Sequence, residues 1–151
     1  MAGIAPHIEI CRVPIERIID LRHVILRHGL PREAAIFPGD DAPTSRHYAA
    51  IENERVVGCL TLHQSQWESQ PAWQLRGMAT DKEHQGQGIG RAMMAFMESD
   101  LLSDANASRQ LWCNARVPAK NFYVNLGWKI VSDIFDIPTA GPHVRMIKKL
   151  A

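Results

Sequence analysis

The residues best suited to chemistry stand together in Gln85-Gly86-Gln87-Gly88-Ile89-Gly90-Arg91. Glycines at alternate positions remove the β-carbons that would hold a bulky anion away from the main chain. An apolar stripe at helical spacing, Ile89, Met93, Phe96, Met97 and Leu101, begins inside this run, so the turn opens a helix. The first amides of a helix have no intrahelical acceptor and sit at the positive end of its dipole. The backbone N–H groups of residues 85–91, with the Arg91 charge beside them, therefore make a cradle for a phosphate or diphosphate. Spacing excludes two familiar phosphate loops. No Lys follows Gly90, as a P-loop requires. Arg91 stands where the third glycine of a dinucleotide fingerprint belongs. The other use of the same residues is tight strand-to-helix packing.

The elements that must position this turn can be read from periodicity. Residues 8–13 alternate as a half-buried strand, and Ile15, Ile18, Ile19, Arg22 and Ile25 then recur at helical spacing until Gly29 and Pro31. Residues 31–45, with three prolines and the pair Asp40-Asp41, read as a short helix at most and a long loop. Strands are expected at 47–52 and 55–63 around the turn Asn53-Glu54, and after a break at 66–71 a third at 73–80. Beyond the glycine turn and its helix come a strand at 109–114, a helix from Pro118 to Gly127, and strands at 128–132 and 143–148. The pattern predicts an α/β (α+β) domain on a mixed, mostly antiparallel sheet of about six or seven strands with flanking helices.

The motif Gln85-x-x-Gly88-x-Gly90 resembles the Gln/Arg-x-x-Gly-x-Gly/Ala signature of the GNAT superfamily, the acetyl-CoA-dependent N-acyltransferases. Leu75-Arg76-Gly77-Met78-Ala79-Thr80-Asp81 is similar to that family's fourth strand. Ala119-Lys120-Asn121-Phe122-Tyr123 through Gly127-Trp128 resembles its Ala-x-x-Phe-Tyr-x-x-x-Gly-Phe segment, with Trp in the last place. The element order also follows the family, so the resemblance spans nearly the whole chain.

The resemblance implies splayed central strands and coenzyme A held with its diphosphate on Gln85, Gly86, Gln87, Gly88, Ile89, Gly90 and Arg91. The pantetheine arm would lie against Met78 and Thr80 as an added strand, with Gly77 marking a bulge that helps open the gap. Asn114 and Asn121 are implied as further cofactor contacts. Tyr123 matches the tyrosine that protonates the departing thiolate, and a phenol of pKa ~10 is protonated at neutral pH. Many members place a glutamate where this chain has Arg76, so no carboxylate base is evident on that strand. Arg76 offers instead a grip for a substrate carboxylate. His47, His63, Glu33 and Asp40 are the other candidate bases. The pair Asp40-Asp41 reads either as solvated loop residues or as an attraction for a cationic amine. The implied activity is acetyl transfer from acetyl-CoA to a primary amine of a small molecule or peptide, with no metal. A non-catalytic acyl-CoA-binding module and a transferase of longer acyl chains are the alternatives.

Bulk properties agree with a single domain over 1–151. The chain has 151 residues, 46% hydrophobic and 22% charged, enough for one core. Seventeen Lys and Arg against sixteen Asp and Glu leave a net charge of +1, which lacks the broad positive field of a nucleic-acid binder. No apolar run approaches the ~18 residues of a membrane span, and residues 1–10 carry no export-signal pattern. Three widely spaced cysteines, Cys11, Cys59 and Cys113, argue against a disulfide framework. A cytoplasmic protein, with homodimers as a family habit, is the expectation.

Overall fold

The computed structural model describes residues 5–151. Strand β1 (Ile8–Arg12) leads through a single 3₁₀ turn to helix α1 (Ile19–Leu26). Proline at 14 precedes that turn; the helix stops at Leu26 with Arg27 as its C-cap. Gly29, expected to end it, takes its φ of +83° in the turn that follows, where Leu30 N donates to the Arg27 carbonyl at 3.1 Å. A loop holding one 3₁₀ turn at Arg32–Ala35 then delivers the antiparallel strands β2 (Arg46–Glu52), β3 (Arg55–Trp67) and β4 (Gln70–Thr80). Helix α2 (Ile89–Leu102), strand β5 (Gln110–Arg116), helix α3 (Lys120–Asn125) and strands β6 (Lys129–Ile130), β7 (Phe135–Ile137) and β8 (Gly141–Lys149) complete the order.

All eight strands join one sheet, in the order β1-β2-β3-β4-β5-β8-β6, with β7 also paired to β8. Among the described residues only β4 and β5 run parallel. Alternate residues of β2 serve opposite faces. Tyr48 and Ala50 join the larger core with Met93, Met97, Leu101 and Tyr123, whereas Ala49 packs with Ile18 and Leu21 below α1. A sheet covered on both faces reads as near-continuous apolar runs, which is why β2 and β3 carry so few polar residues at their centres.

The sheet thus has one strand more than the upper expectation. β7 is only three residues long, and its neighbour Pro138 hides the alternation. The break expected at 66–71 is instead a hairpin. β3 runs on to Trp67, Glu68 and Ser69 form a two-residue turn with both φ positive, and β4 starts at Gln70. The Asn53-Glu54 turn has the same double-positive geometry.

Two irregularities shape the site. Pairing between β4 and β5 stops after Trp73–Leu111, Gln74–Trp112 and Leu75–Cys113, although β4 continues to Thr80 and β5 to Arg116. The strands therefore part beyond Leu75. On the other edge of β4, register against β3 shifts so that Gly77 and Met78 oppose Leu60 alone, a β-bulge with Gly77 at φ +64°.

Candidate active site

The strand gap opens into two adjoining cavities. One, of about 610 Å³, lies against Met78–Thr80 at the end of β4 and the start of α2. The other, of about 370 Å³, lies against residues 74–78 of β4 and 113–116 of β5. Met78, Ala119 and Tyr123 line both, so these three residues mark the junction.

The larger cavity brings together Met78, Thr80, Gln85, Gly86, Gly88, Ile89, Gly90 and Arg91 from the sequence expectation. Gly88 is the N-cap of α2 at φ +83° and no side chain caps the helix. Ala92 N donates to the Gly88 carbonyl at 3.0 Å, which starts the helical ladder and leaves the amides of Ile89, Gly90 and Arg91 ahead of it without intrahelical acceptors. Bare donors at the positive end of a fourteen-residue helix suit a diphosphate. The turn is steadied from behind. Gln85 Nε2 donates to the Thr80 carbonyl at 3.1 Å, and His84 bridges Asp81 and Glu52, each at 2.9 Å. Carboxylates only accept, so both ring nitrogens of His84 must carry protons, and hydrogen bonds first to Asp81 and then to Glu52 raise its pKa.

Three expected cofactor residues do not line the larger cavity. The Gln87 side chain turns back to the Glu83 carbonyl at 3.2 Å and does not line the cavity. Asn114 faces the smaller cavity and accepts from Arg145 Nε at 3.1 Å. Asn121 is exposed on α3 and lines neither cavity, because it points away from the Phe122–Tyr123 side of this short helix.

Tyr123 is buried, edge-on to both Phe122 and Trp128, and its hydroxyl donates to Met78 Sδ at 3.7 Å. Thioether sulfur is a weak acceptor, so this hydroxyl is easily recruited by a stronger one. Burial, then Cys113, holds the phenol above its ordinary pKa. Burial also pushes the Cys113 thiol up to about 12, which leaves it protonated and removes it as a nucleophile.

The smaller cavity has a wall that sequence reading did not assemble. Arg27, Phe37, Arg76, Arg116 and His143 meet there from five separate segments. Arg76, expected to meet substrate, donates to the Pro38 carbonyl and stands 3.5 Å from Asp40. Asp40 is not a solvated loop acid. Its carboxylate takes two hydrogen bonds from the fully buried Arg22 (2.7 and 3.3 Å) and one from the Phe37 amide (2.6 Å). Asp41 is exposed and faces a different cleft.

The remaining base candidates are otherwise occupied. His47 Nε2 donates to the Asp40 carbonyl, and Nδ1 accepts from Thr61, which itself accepts from Arg22. Both nitrogens are thus committed, and burial lowers the ring's pKa. His63 packs beside Gly39, Glu33 is exposed on the 3₁₀ turn, and neither lines either cavity. His143 is different. Its Nδ1 lies 2.7 Å from the Gly141 carbonyl and must donate to it, so in the neutral ring Nε2 carries the lone pair, and the residue lines the cavity. Its position opposite Arg116 in the β5–β8 register was the only signal available beforehand, and it requires the strand pairing to be known.

Comparison with known proteins supports the same fold. A family model described as "Acetyltransferase (GNAT) domain" matches residues 43–130. The chain is 31% identical over 149 residues to "Uncharacterized N-acetyltransferase YitI" of Bacillus subtilis (strain 168), covering 95% of this chain and 97% of that protein. Among solved structures, Escherichia coli ElaA superposes with a TM-score of 0.78 at 15% identity, covering 93% and 99% of the two chains. An aminoglycoside 6'-N-acetyltransferase complexed with coenzyme A superposes with a TM-score of 0.73 at 15% identity, covering 93% and 96%. The family match and the relative, taken with the parted strands and the uncapped glycine turn, lead to one conclusion: the chain belongs to the GNAT family of N-acetyltransferases.

Proposed function

We propose that the protein transfers an acetyl group from acetyl-CoA to the amine of a small acceptor by direct attack. One observation carries the reading: Tyr123 and Met78 stand where a cavity with free helix amides meets a second, separately lined cavity. The amides of Ile89, Gly90 and Arg91, with Gln85, Gly86 and Gly88 around them, hold the diphosphate. The edge of β4 at Met78 and Thr80 lies along the pantetheine arm, which places the thioester at the junction. The acceptor sits in the smaller cavity. Its nitrogen attacks the thioester carbon, the C–S bond breaks, and the departing sulfur takes the Tyr123 hydroxyl proton or hydrogen bond in place of Met78 Sδ. The proton lost by the amine passes to His143 Nε2, directly or through water. Cys113 forms no acyl intermediate, because its thiol stays protonated.

Calorimetric titration with acetyl-CoA, followed by thiol release with an amine panel, tests this reading. Micromolar binding with amine-dependent thiol release is expected. Binding without turnover on any amine would leave an acyl-CoA-binding module, and absence of binding would remove the assignment altogether.

A further inference from the structure

The smaller cavity carries an imbalance of charge. Arg27, Arg76 and Arg116 line it, and among the described residues no Asp or Glu does. Arg22 lies directly behind, its guanidinium 4.2 Å from the centre of the Phe37 ring, with Arg27 at 5.0 Å and Arg76 at 5.7 Å from the same ring. One carboxylate, Asp40, takes two hydrogen bonds from Arg22 and stands 3.5 Å from Arg76. Arg27 donates to the Leu26 carbonyl at 3.0 Å, and Arg116 donates to that same oxygen at 3.1 Å. Among the described residues neither pairs with a carboxylate, and the buried Arg76 Nε has no partner. Burial, then the charges of Arg116 and Arg22, pull Arg27 below the usual guanidinium range. Like charges crowded this way call for an anion that the chain does not supply.

We infer, building on the acetyltransferase reading, that the acceptor is a small amine bearing its own anionic group, foremost a carboxylate, held by Arg27, Arg76 and Arg116. The guanidinium forks match a carboxylate or phosphate and repel a polycation. The same positive field favours the neutral amine over its ammonium form, so it assists deprotonation where the strand offers Arg76 in place of an acid. A cavity of about 370 Å³ suits an acceptor of amino-acid size.

The test is calorimetry on the CoA-loaded protein with glutamate, β-alanine, O-phosphoethanolamine, butylamine, spermidine and kanamycin. The carboxylated amines are expected to bind at least about tenfold tighter than butylamine, the gain of one charge-assisted hydrogen bond. Spermidine and kanamycin are expected to bind most weakly. Arg27→Met and Arg76→Met should each weaken the carboxylated ligands by about tenfold and leave butylamine and CoA within about twofold. Tightest binding of O-phosphoethanolamine would keep the anion site and assign it to phosphate. Equal or tighter binding of butylamine or the polycations, no binding by any anionic amine, or equal loss for butylamine in the variants would overturn the inference. Bound anionic amines that are never acetylated would instead sink the transferase reading and leave the anion site standing.

Discussion

Replacing Gly77 by alanine should damage the protein more than replacing Gly86, although both residues have positive φ, +64° and +79°. A non-glycine residue in that region costs about 1–2 kcal/mol. Losing a glycine from the unfolded chain returns about 0.4–1 kcal/mol. Both terms apply equally at the two sites and cancel in the comparison. The surroundings differ. A methyl at Gly86 meets nothing within 4 Å, whereas one at Gly77 would stand 2.6 Å from Arg22 Nε and 3.1 Å from its Cζ and Nη2. That guanidinium cannot step aside, because it is fully buried and tied to Ala35, Asp40 and Thr61. Overpacking of a fixed neighbour costs about 1–3 kcal/mol, so Gly77→Ala should be less stable than Gly86→Ala by about that amount. Urea denaturation followed by tryptophan fluorescence measures the difference directly. Equal stabilities for the two variants would refute the claim that Arg22 is immovable and that the bulge depends on a bare main chain.

Asp40→Asn should leave Arg22 as an unpaired buried charge and lower stability by about 3–5 kcal/mol, read as a fall in the urea midpoint; a loss under about 1 kcal/mol would show the pair to be replaceable. Tyr123→Phe should reduce kcat by about a hundredfold while CoA affinity and melting temperature hold, since among the described residues the hydroxyl's partner is a weakly accepting thioether; unchanged kcat with chemistry limiting would take Tyr123 out of the mechanism. His143→Ala should lower kcat with little change in CoA affinity, measured by thiol release and calorimetry, and a variant as fast as the parent would place the proton's exit elsewhere. The His84 bridge sets a pH dependence. Its pKa is raised in the folded state, so its contribution is complete below the unfolded value of about 6.5 and fades as pH rises through the folded value. Glu52 and Asp81 are lowered, mainly by His84, so theirs is present above about 4 and fades in acid. Melting temperature should therefore fall above about pH 6.5 more steeply for the parent than for His84→Asn, and parallel curves would exclude the bridge as the cause.

The glycine-turn half of the candidate site was legible because it is local. Residues 85–91 contain both the glycines and the start of the helix with its uncapped amides, and the Phe122–Tyr123 pair lies on one short helix. The bulge at Gly77 was legible for the same reason. The smaller cavity was not, because its wall is made of single residues from segments far apart in the chain. Arg27 follows the end of α1, Arg116 ends β5, and His143 becomes their neighbour only through the β5–β8 register. Asp40 looked like a solvated loop acid because Arg22, the partner that buries it, lies eighteen positions earlier. The β3–β4 hairpin escaped notice because the polar run Gln64-Ser65-Gln66 carries none of the apolar alternation by which strands are recognised.

A sheet unzipped at one end has two mouths. Acetyl donor and acceptor, on the proposed reading, enter by different doors and touch only around Met78, Ala119 and Tyr123. Neither has to leave before the other arrives, and no protein atom has to carry the acyl group between them. Initial-rate plots for one reactant at several levels of the other should then cross rather than run parallel.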